Sequence, residues 1–365
     1  MTDQIITTIQ DQSTELSIPQ SAAEAADRAA SKNSFSTFRK KKSVNTRKAH
    51  DVDLARFADF LAHAGIYPTL PNDDRERKQA LDAHVTALND RPQAWHGVSF
   101  GIVEAFVAWQ VNNSYAISSI NRSLSTVKKY AGLAYKAGAL DADTFAKIKL
   151  VTGYSRKEGI NLDEDREERG IDTRTSAKKA EAVKIPAGAE DALKLDHDDM
   201  PQGRRDAVLM SLLLDLGLRA GEAAGLKVRN VDLEAGQLTF YREKVAKTQT
   251  HNMTPALLKA MRAYLPYMPL MADDKLLRRS IKGGKLGKPG ISARSLTYRV
   301  QSIGERHGIE GLSAHDCRHH WATTAARNGT PLDRLMDAGG WSSPAMPMRY
   351  IEAARIANEG VKLSS

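Results

Sequence analysis

The chain has 365 residues, enough for two or three domains, and its 41% hydrophobic content is ordinary for a soluble globular protein. A formal net charge of +9 and a pI near 9.4 suit a polyanionic partner, while the single cysteine, Cys317, excludes an internal disulfide and fits a reducing cytosol. The longest apolar run, Val208 to Leu218, is broken by Ser211, Asp215 and Gly217, and the N-terminus lacks a basic start followed by an apolar stretch, so neither a transmembrane helix nor a secretory signal is expected.

In chain order, residues 1–38 are rich in Gln, Ser, Thr and Ala, with Phe35 as the first aromatic. They read as a disordered, basic-ended arm that buries too little to fold by itself. Lys40, Lys41 and Lys42 follow, with Arg47 and Lys48 just beyond, as candidates for contact with a polyanion. Residues 39–150 have a helical period. Leu54, Phe57, Leu61 and Ala64 share one face, and Gly65 and Pro68 end that helix. Val98, Ile102, Val103 and Phe106 mark a second helix. Ile120, Leu124, Val127 and Ala131 mark a third, whose opposite face carries Asn121, Arg122, Lys128 and Lys129. Residues 151–195 are charged and poor in aromatics, from Asp163–Arg169 to Lys178 and Lys179, and read as an interdomain linker with some local helix.

Residues 196–365 form the next domain. Asp206 to Leu216 is apolar nearly all round, which predicts a buried helix. Gln237 to Arg242 alternates like a strand, Lys244 to Thr250 is turn-like, and His251 to Met253 starts a returning strand. Helices are expected from about Pro255, Ser295, His315 and Leu332. Ile281 to Gly290, rich in Gly and Lys, reads as a loop. This is a mainly helical pattern with a small antiparallel sheet.

The same domain gathers chemistry. Arg219 precedes Glu222 by three residues, His315 precedes Arg318 by three, and Trp341 precedes Tyr350 by nine. Arginine offers a planar fork of donors that matches phosphate oxygens and stays charged. A tyrosine aimed at a phosphate held by two arginines suggests covalent phosphoryl transfer on nucleic acid. An indole N–H donates to an oxygen and cannot take a proton. His315 reads as a hydrogen-bond donor or general base. Zinc binding by the neighbouring Cys317, His319 and His320 is disfavoured, because ligands so close on one helix do not converge.

In order and spacing, Arg219–Glu222, Lys247, His315–Arg318, Trp341 and Tyr350 resemble the tyrosine recombinases (phage integrase family). The Trp341 variant and the flanking Leu335–Trp341 and Met348–Ile351 stretches look most like the Cre-type members. The resemblance implies an N-terminal helical core-binding (SAM-like) domain at 39–150 and an α+β catalytic domain at 196–365. It also implies that Asn121, Arg122, Lys128 and Lys129 face DNA. The activity it implies is site-specific recombination. Tyr350 forms a 3′-phosphotyrosyl link while Arg219, Arg318, His315 and Trp341 hold the phosphate and Glu222 buttresses Arg219. Lys247, with Lys244 as the alternative, protonates the departing 5′-oxygen. No cofactor, metal or ATP is implied. The implied partners are double-stranded DNA with inverted repeats and further copies of the chain, two on a site and four in a synapse that passes through a Holliday junction. No membrane is implied. The implied setting is a cytoplasmic, nucleoid-associated protein of a bacterium or mobile element, whose residues 351–365 form a C-terminal assembly helix. The rival readings are a topoisomerase-like strand transferase and a DNA-binding relative without activity.

Overall fold

The structure, a computed structural model, describes residues 20–173, 182–267 and 271–354. The chain divides into two compact units, residues 1–177 and 178–365.

The first unit is helical: α1 (Gln20–Lys40), α2 (Val44–His63), α3 (Asp74–Asp90), α4 (Phe100–Asn112), α5 (Ile117–Lys136), α6 (Ala142–Leu150) and α7 (Arg156–Glu168). Side-chain oxygens of Ser43, Asp73, Ser99, Asp141 and Ser155 accept from backbone N–H groups of the first turn at five of the helix starts. The predicted faces meet in one core. Leu54, Phe57, Leu61, Val103, Phe106, Ile120, Leu124, Val127 and Ala131 are all buried there.

Two expectations fail in this unit. The disordered arm was expected to run to residue 38, but Gln20–Lys40 is a helix. Phe35 is buried against Tyr130, and the Phe38 ring meets Tyr130 edge-on at 5.6 Å. Two aromatics three residues apart on one helical face anchor the segment despite its polar composition. The rest of the arm, residues 1–19, lies outside the described residues. The linker reading of 151–195 allows some local helix, but Arg156–Glu168 is a helix that packs on the first unit instead of linking. There a Ser155–Glu158 capping box starts α7, and the buried Arg166 donates to the Val111 carbonyl at 3.1 Å. Lys178 and Lys179 lie outside the described residues.

The polar face of α5 is also less free than its sequence suggests. Arg122 grips the buried Asp53 with Nε and Nη2, at 3.0 and 2.9 Å to Oδ1, and Thr126 donates to the same carboxylate at 2.8 Å. Asn121 exchanges two hydrogen bonds with the Tyr154 backbone. Lys128 caps the end of α6, donating to the carbonyls of Lys149 and Val151. Truncating Arg122 would strand a buried charge. We expect Arg122→Ala to cost about 1–3 kcal/mol, below the usual range for a broken buried pair because Arg122 is half exposed. Urea denaturation would measure it. An unchanged midpoint would show that Arg122 is not structural.

The second unit is mixed. It contains α8 (Ala189–Leu195), α9 (Pro201–Leu214), α10 (Ala220–Gly225), a three-stranded antiparallel sheet of β1 (Val231–Asp232), β2 (Gln237–Arg242) and β3 (Lys247–Asn252), and α11 (Pro255–Tyr264). A hairpin of β4 (Arg278–Ser280) and β5 (Leu286–Pro289) follows, then α12 (Ala293–Arg306), α13 (Ala314–Arg327), α14 (Leu332–Gly339) and α15 (Ala345–Ala354). Val208 to Leu214 of α9 is buried all round, and α11 and α13 pack against this helix. The core-facing alternation of β2 places Leu238, Phe240 and Arg242 inward.

The chain is therefore mainly helical with small antiparallel sheets, as its sequence predicts. The returning strand begins earlier than expected, at Lys247, and Arg242 and Lys247 form the last ladder pair before the turn. The glycine-rich stretch expected to be a loop is the β4–β5 hairpin. Gly283 and Gly284, both at positive φ, turn it. Of the expected assembly helix, residues 355–365 lie outside the described residues. Among the described residues no helix is long and apolar enough to cross a membrane.

Candidate active site

The site is assembled by three helix ends. Gly217, at φ 59°, turns the chain out of α9, and a Cβ there would meet the Trp321 ring at 2.3 Å. The turn delivers Arg219 to the start of α10. The Glu222 carboxylate accepts from the Arg219 backbone N–H at 3.0 Å and from its guanidinium at 2.7 Å, so one acid fixes both the cap and the side chain. A capping box between Ser313 and Asp316 starts α13. It leaves His315 exposed on the first turn and points Arg318 into the unit, where it is 2% exposed.

The third end is the turn between α14 and α15. Gly340 has φ 60°, and a Cβ on Gly339 would lie 1.8 Å from the Trp341 ring, so only glycines fit. The carbonyls of this turn collect guanidinium groups. Arg219 donates to Gly340 at 3.1 Å, Arg318 donates to both Gly339 and Gly217, and Arg242 donates to Gly339 at 2.7 Å and Ala338 at 2.8 Å. These carbonyls end α14, where the helix dipole favours positive charge.

Tyr350, on α15, is 3% exposed. Its ring lies 5.6 Å from Trp341 and meets the edge of His319 at 4.8 Å; His319 in turn meets His315 at 4.7 Å. The Arg318 guanidinium sits 4.2 Å above the Trp341 ring. Burial pushes the Tyr350 phenol above its usual range, opposed by the guanidinium groups of Arg318 and Arg219. Burial, reinforced by the neighbouring Arg219 charge, lowers Arg318 to about 9. The Arg318 shift describes a site with excess positive charge: a bound anion would favour the charged guanidinium, and the guanidinium charges in turn favour a phenolate against the effect of burial.

Arg219, Arg318, Trp341 and Tyr350 thus converge, with Glu222 holding Arg219 and His315 at the exposed rim. Lys247 stands apart. It pairs with Asp337 at 2.7 Å, one turn of chain before Trp341, and Lys244 is exposed in the hairpin turn. Cys317, His319 and His320 diverge: Cys317 lies in the core, His319 faces Tyr350 and His320 pairs with Glu190.

The sequence reading missed two members. His319 follows His315 by four residues and so shares its helical face, a spacing that could have signalled it. Arg242 continues the inward alternation of Leu238 and Phe240, the one sign that it is buried.

In the first unit, Lys40, Lys41 and Lys48 are exposed, Arg47 is half-buried and Lys42 rests over the Phe38 ring at 4.9 Å. Lys129 is exposed and, with Lys128 and Lys149, lines an open cleft of about 600 Å³ floored by Leu124 and Phe145.

Residues 187–355 match the phage integrase family. The tyrosine recombinase XerD of Neisseria meningitidis serogroup B is 30% identical over 167 residues, covering 45% of this chain and 55% of that protein. The tyrosine recombinase XerA of Thermococcus kodakarensis is 28% identical over 167 residues, covering 45% and 57%. The chain thus spans little more than half the length of these relatives. The tyrosine recombinase XerD of Lacticaseibacillus casei is 25% identical over 300 residues, 80% of this chain and 92% of that one. Among solved structures, the Tn1549 transposon integrase in complex with transposon right end DNA superposes with a TM-score of 0.50 at 14% identity, covering 85% of this chain and 99% of that one. That likeness is one of fold.

Proposed function

We propose, from the match of residues 187–355 to the phage integrase family, that the chain is a site-specific DNA recombinase with Tyr350 as its nucleophile. The observation that carries the reading is one cluster: a buried phenol beside an indole, with the Arg318 guanidinium stacked on that indole and Arg219 tied to the same turn. A phenol is a poor nucleophile until its anion is stabilised, and two fixed guanidinium groups supply that stabilisation. They would hold the non-bridging oxygens of the scissile phosphate and take up the charge that builds in the transition state. His315 and the Trp341 N–H would donate to the same oxygens.

In this reaction the Tyr350 oxygen bonds to phosphorus as its proton passes to the imidazoles beside it, His319 and then His315, and the bond to the 5′-oxygen breaks. The phosphate stays on the 3′ end as a phosphotyrosine, and the 5′-oxygen leaves with a proton from Lys247. Attack by a partner strand's 5′-hydroxyl reverses the step. One phosphodiester is exchanged for another, so neither ATP nor a metal is required. Two copies on inverted repeats and four in a synapse, passing through a Holliday junction, complete the proposal. It is supported by named recombinases among the relatives and by a fold neighbour solved on DNA. The direct test is to incubate the chain with duplexes drawn from inverted repeats flanking its gene, with chelator present, and look for an adduct that survives denaturation. Absence of any adduct, or its loss on adding chelator, would refute the proposal.

The acid is tested separately. Lys247→Ala is expected to slow cleavage about 10²–10⁴-fold, the usual contribution of a positioned proton donor. On a substrate with sulfur in place of the 5′-bridging oxygen the loss should largely vanish, because a thiolate leaves unprotonated. Rescue of Lys244→Ala, with none for Lys247→Ala, would move the role to Lys244.

A further inference from the structure

Arg242 is a buried charge beside the site that the reaction just proposed does not use. It is 0% exposed, and its nearest carboxylate oxygen, on Glu222, is 3.4 Å away. Burying a guanidinium is costly unless it is well paired. Its other close contacts are carbonyls, Gly339 at 2.7 Å and Ala338 at 2.8 Å, and the His251 ring nitrogen at 3.4 Å. Packing alone would be served by an apolar residue at the end of this inward row. An arginine here has a specific consequence, because it reaches from one catalytic element to another. Across the ladder from Arg242 stands Lys247, its partner in the last pair before the hairpin turn. At the other end of its side chain is the turn that carries Trp341 and leads to Tyr350. Gln249, two residues past Lys247, adds a second tie, donating to the Asp337 carbonyl at 2.8 Å and its carboxylate at 3.0 Å. Arg318 shares the Gly339 carbonyl with Arg242.

We infer that Arg242 is a positioning residue: by clamping the Ala338–Gly339 carbonyls to the β2–β3 hairpin, it sets Lys247, the proposed proton donor, relative to the turn that presents the nucleophile. The inference rests on the recombinase reading for its chemistry, but the clamp itself does not. Without Arg242 the hairpin keeps only the contacts of Lys247 and Gln249 with Asp337, near the exposed end of the ladder, and can shift; a shift of about 1 Å in a catalytic group costs on the order of 10²-fold in rate.

Two measurements on the full chain test it. The first is amide hydrogen exchange without DNA. Arg242→Met should speed exchange at both residues 247–250 and residues 337–341 while leaving α9 and α11 as in the wild type. Faster exchange confined to the hairpin would overturn the clamp. The second is single-turnover cleavage of a duplex recovered by covalent capture on the wild type from a random-sequence library, made with oxygen or sulfur at the 5′-bridging position. The loss in Arg242→Met should be at least about tenfold greater on the oxygen substrate than on the sulfur one, since displacing Lys247 matters only where the leaving group needs a proton. Gln249→Ala, at the edge of the sheet, should show the same imbalance more weakly and decides the matter if Arg242→Met does not fold. Equal losses on the two substrates, with a wild type that cleaves, would end this inference alone. A wild type that captures no duplex would end the recombinase reading and this inference together.

Discussion

Tyr350→Phe is expected to bind DNA as the wild type does and to form no adduct that survives denaturation, a loss of at least about 10⁴-fold in cleavage. The substitution keeps the ring and its contacts with Trp341 and His319 and removes only the oxygen. Because the residue is buried on α15, an unchanged ring should also keep the turn and both arginines in place. Binding and cleavage therefore separate cleanly in this variant. Gel mobility under native conditions measures the first and denaturing electrophoresis the second. An adduct formed by Tyr350→Phe would place the nucleophile on another residue and undo the assignment of the whole cluster.

Arg318→Ala is expected to lower cleavage about 10³-fold or more, on the scale of an arginine that stabilises phosphoryl-transfer charge. It should also destabilise the second unit. Arg318 is 2% exposed and serves the carbonyls of Gly217 and Gly339; Arg242 still serves Gly339 in the variant, but the Gly217 carbonyl loses this donor, at a cost of about 1–3 kcal/mol. Arg219→Ala should match it in cleavage but cost less stability, since the Arg219 side chain is 23% exposed and water can replace it. Adduct yield and denaturant midpoints, measured on both variants, test the contrast. Full cleavage by either variant would remove that arginine from the phosphate.

The cluster was legible in sequence because its members sit at fixed short spacings on helix ends. Three residues from Arg219 to Glu222 span one helical turn and let the pair meet, and the same spacing puts His315 and Arg318 on successive turns of one helix end. The buried α9 was legible because apolar residues cover its whole circumference. Arg242 was not, since a charged residue at the end of an alternating row reads as the row's exit to solvent. Only the carbonyls of a turn about a hundred residues downstream explain its burial. The internal bonds of Arg122, Asn121 and Lys128 were not legible for a related reason. The polar face of an amphipathic helix has the same composition whether it meets water, DNA or another backbone. Here it meets Asp53, the Tyr154 backbone and the end of α6. The α1 helix was hidden because two aromatics carry its packing while its composition resembles a free tail.

The close fit at Gly340 has a consequence for how such chains diverge. A Cβ at this position would lie 2.7 Å from both Cδ and Nη1 of Arg242. The two sites therefore compete for one volume, and neither is free to drift alone. Lineages that acquire a side chain at position 340 should have lost the long one at 242, and those that keep Arg242 should keep the glycine. An alignment deep enough to score paired changes would display this as covariation between positions nearly a hundred residues apart.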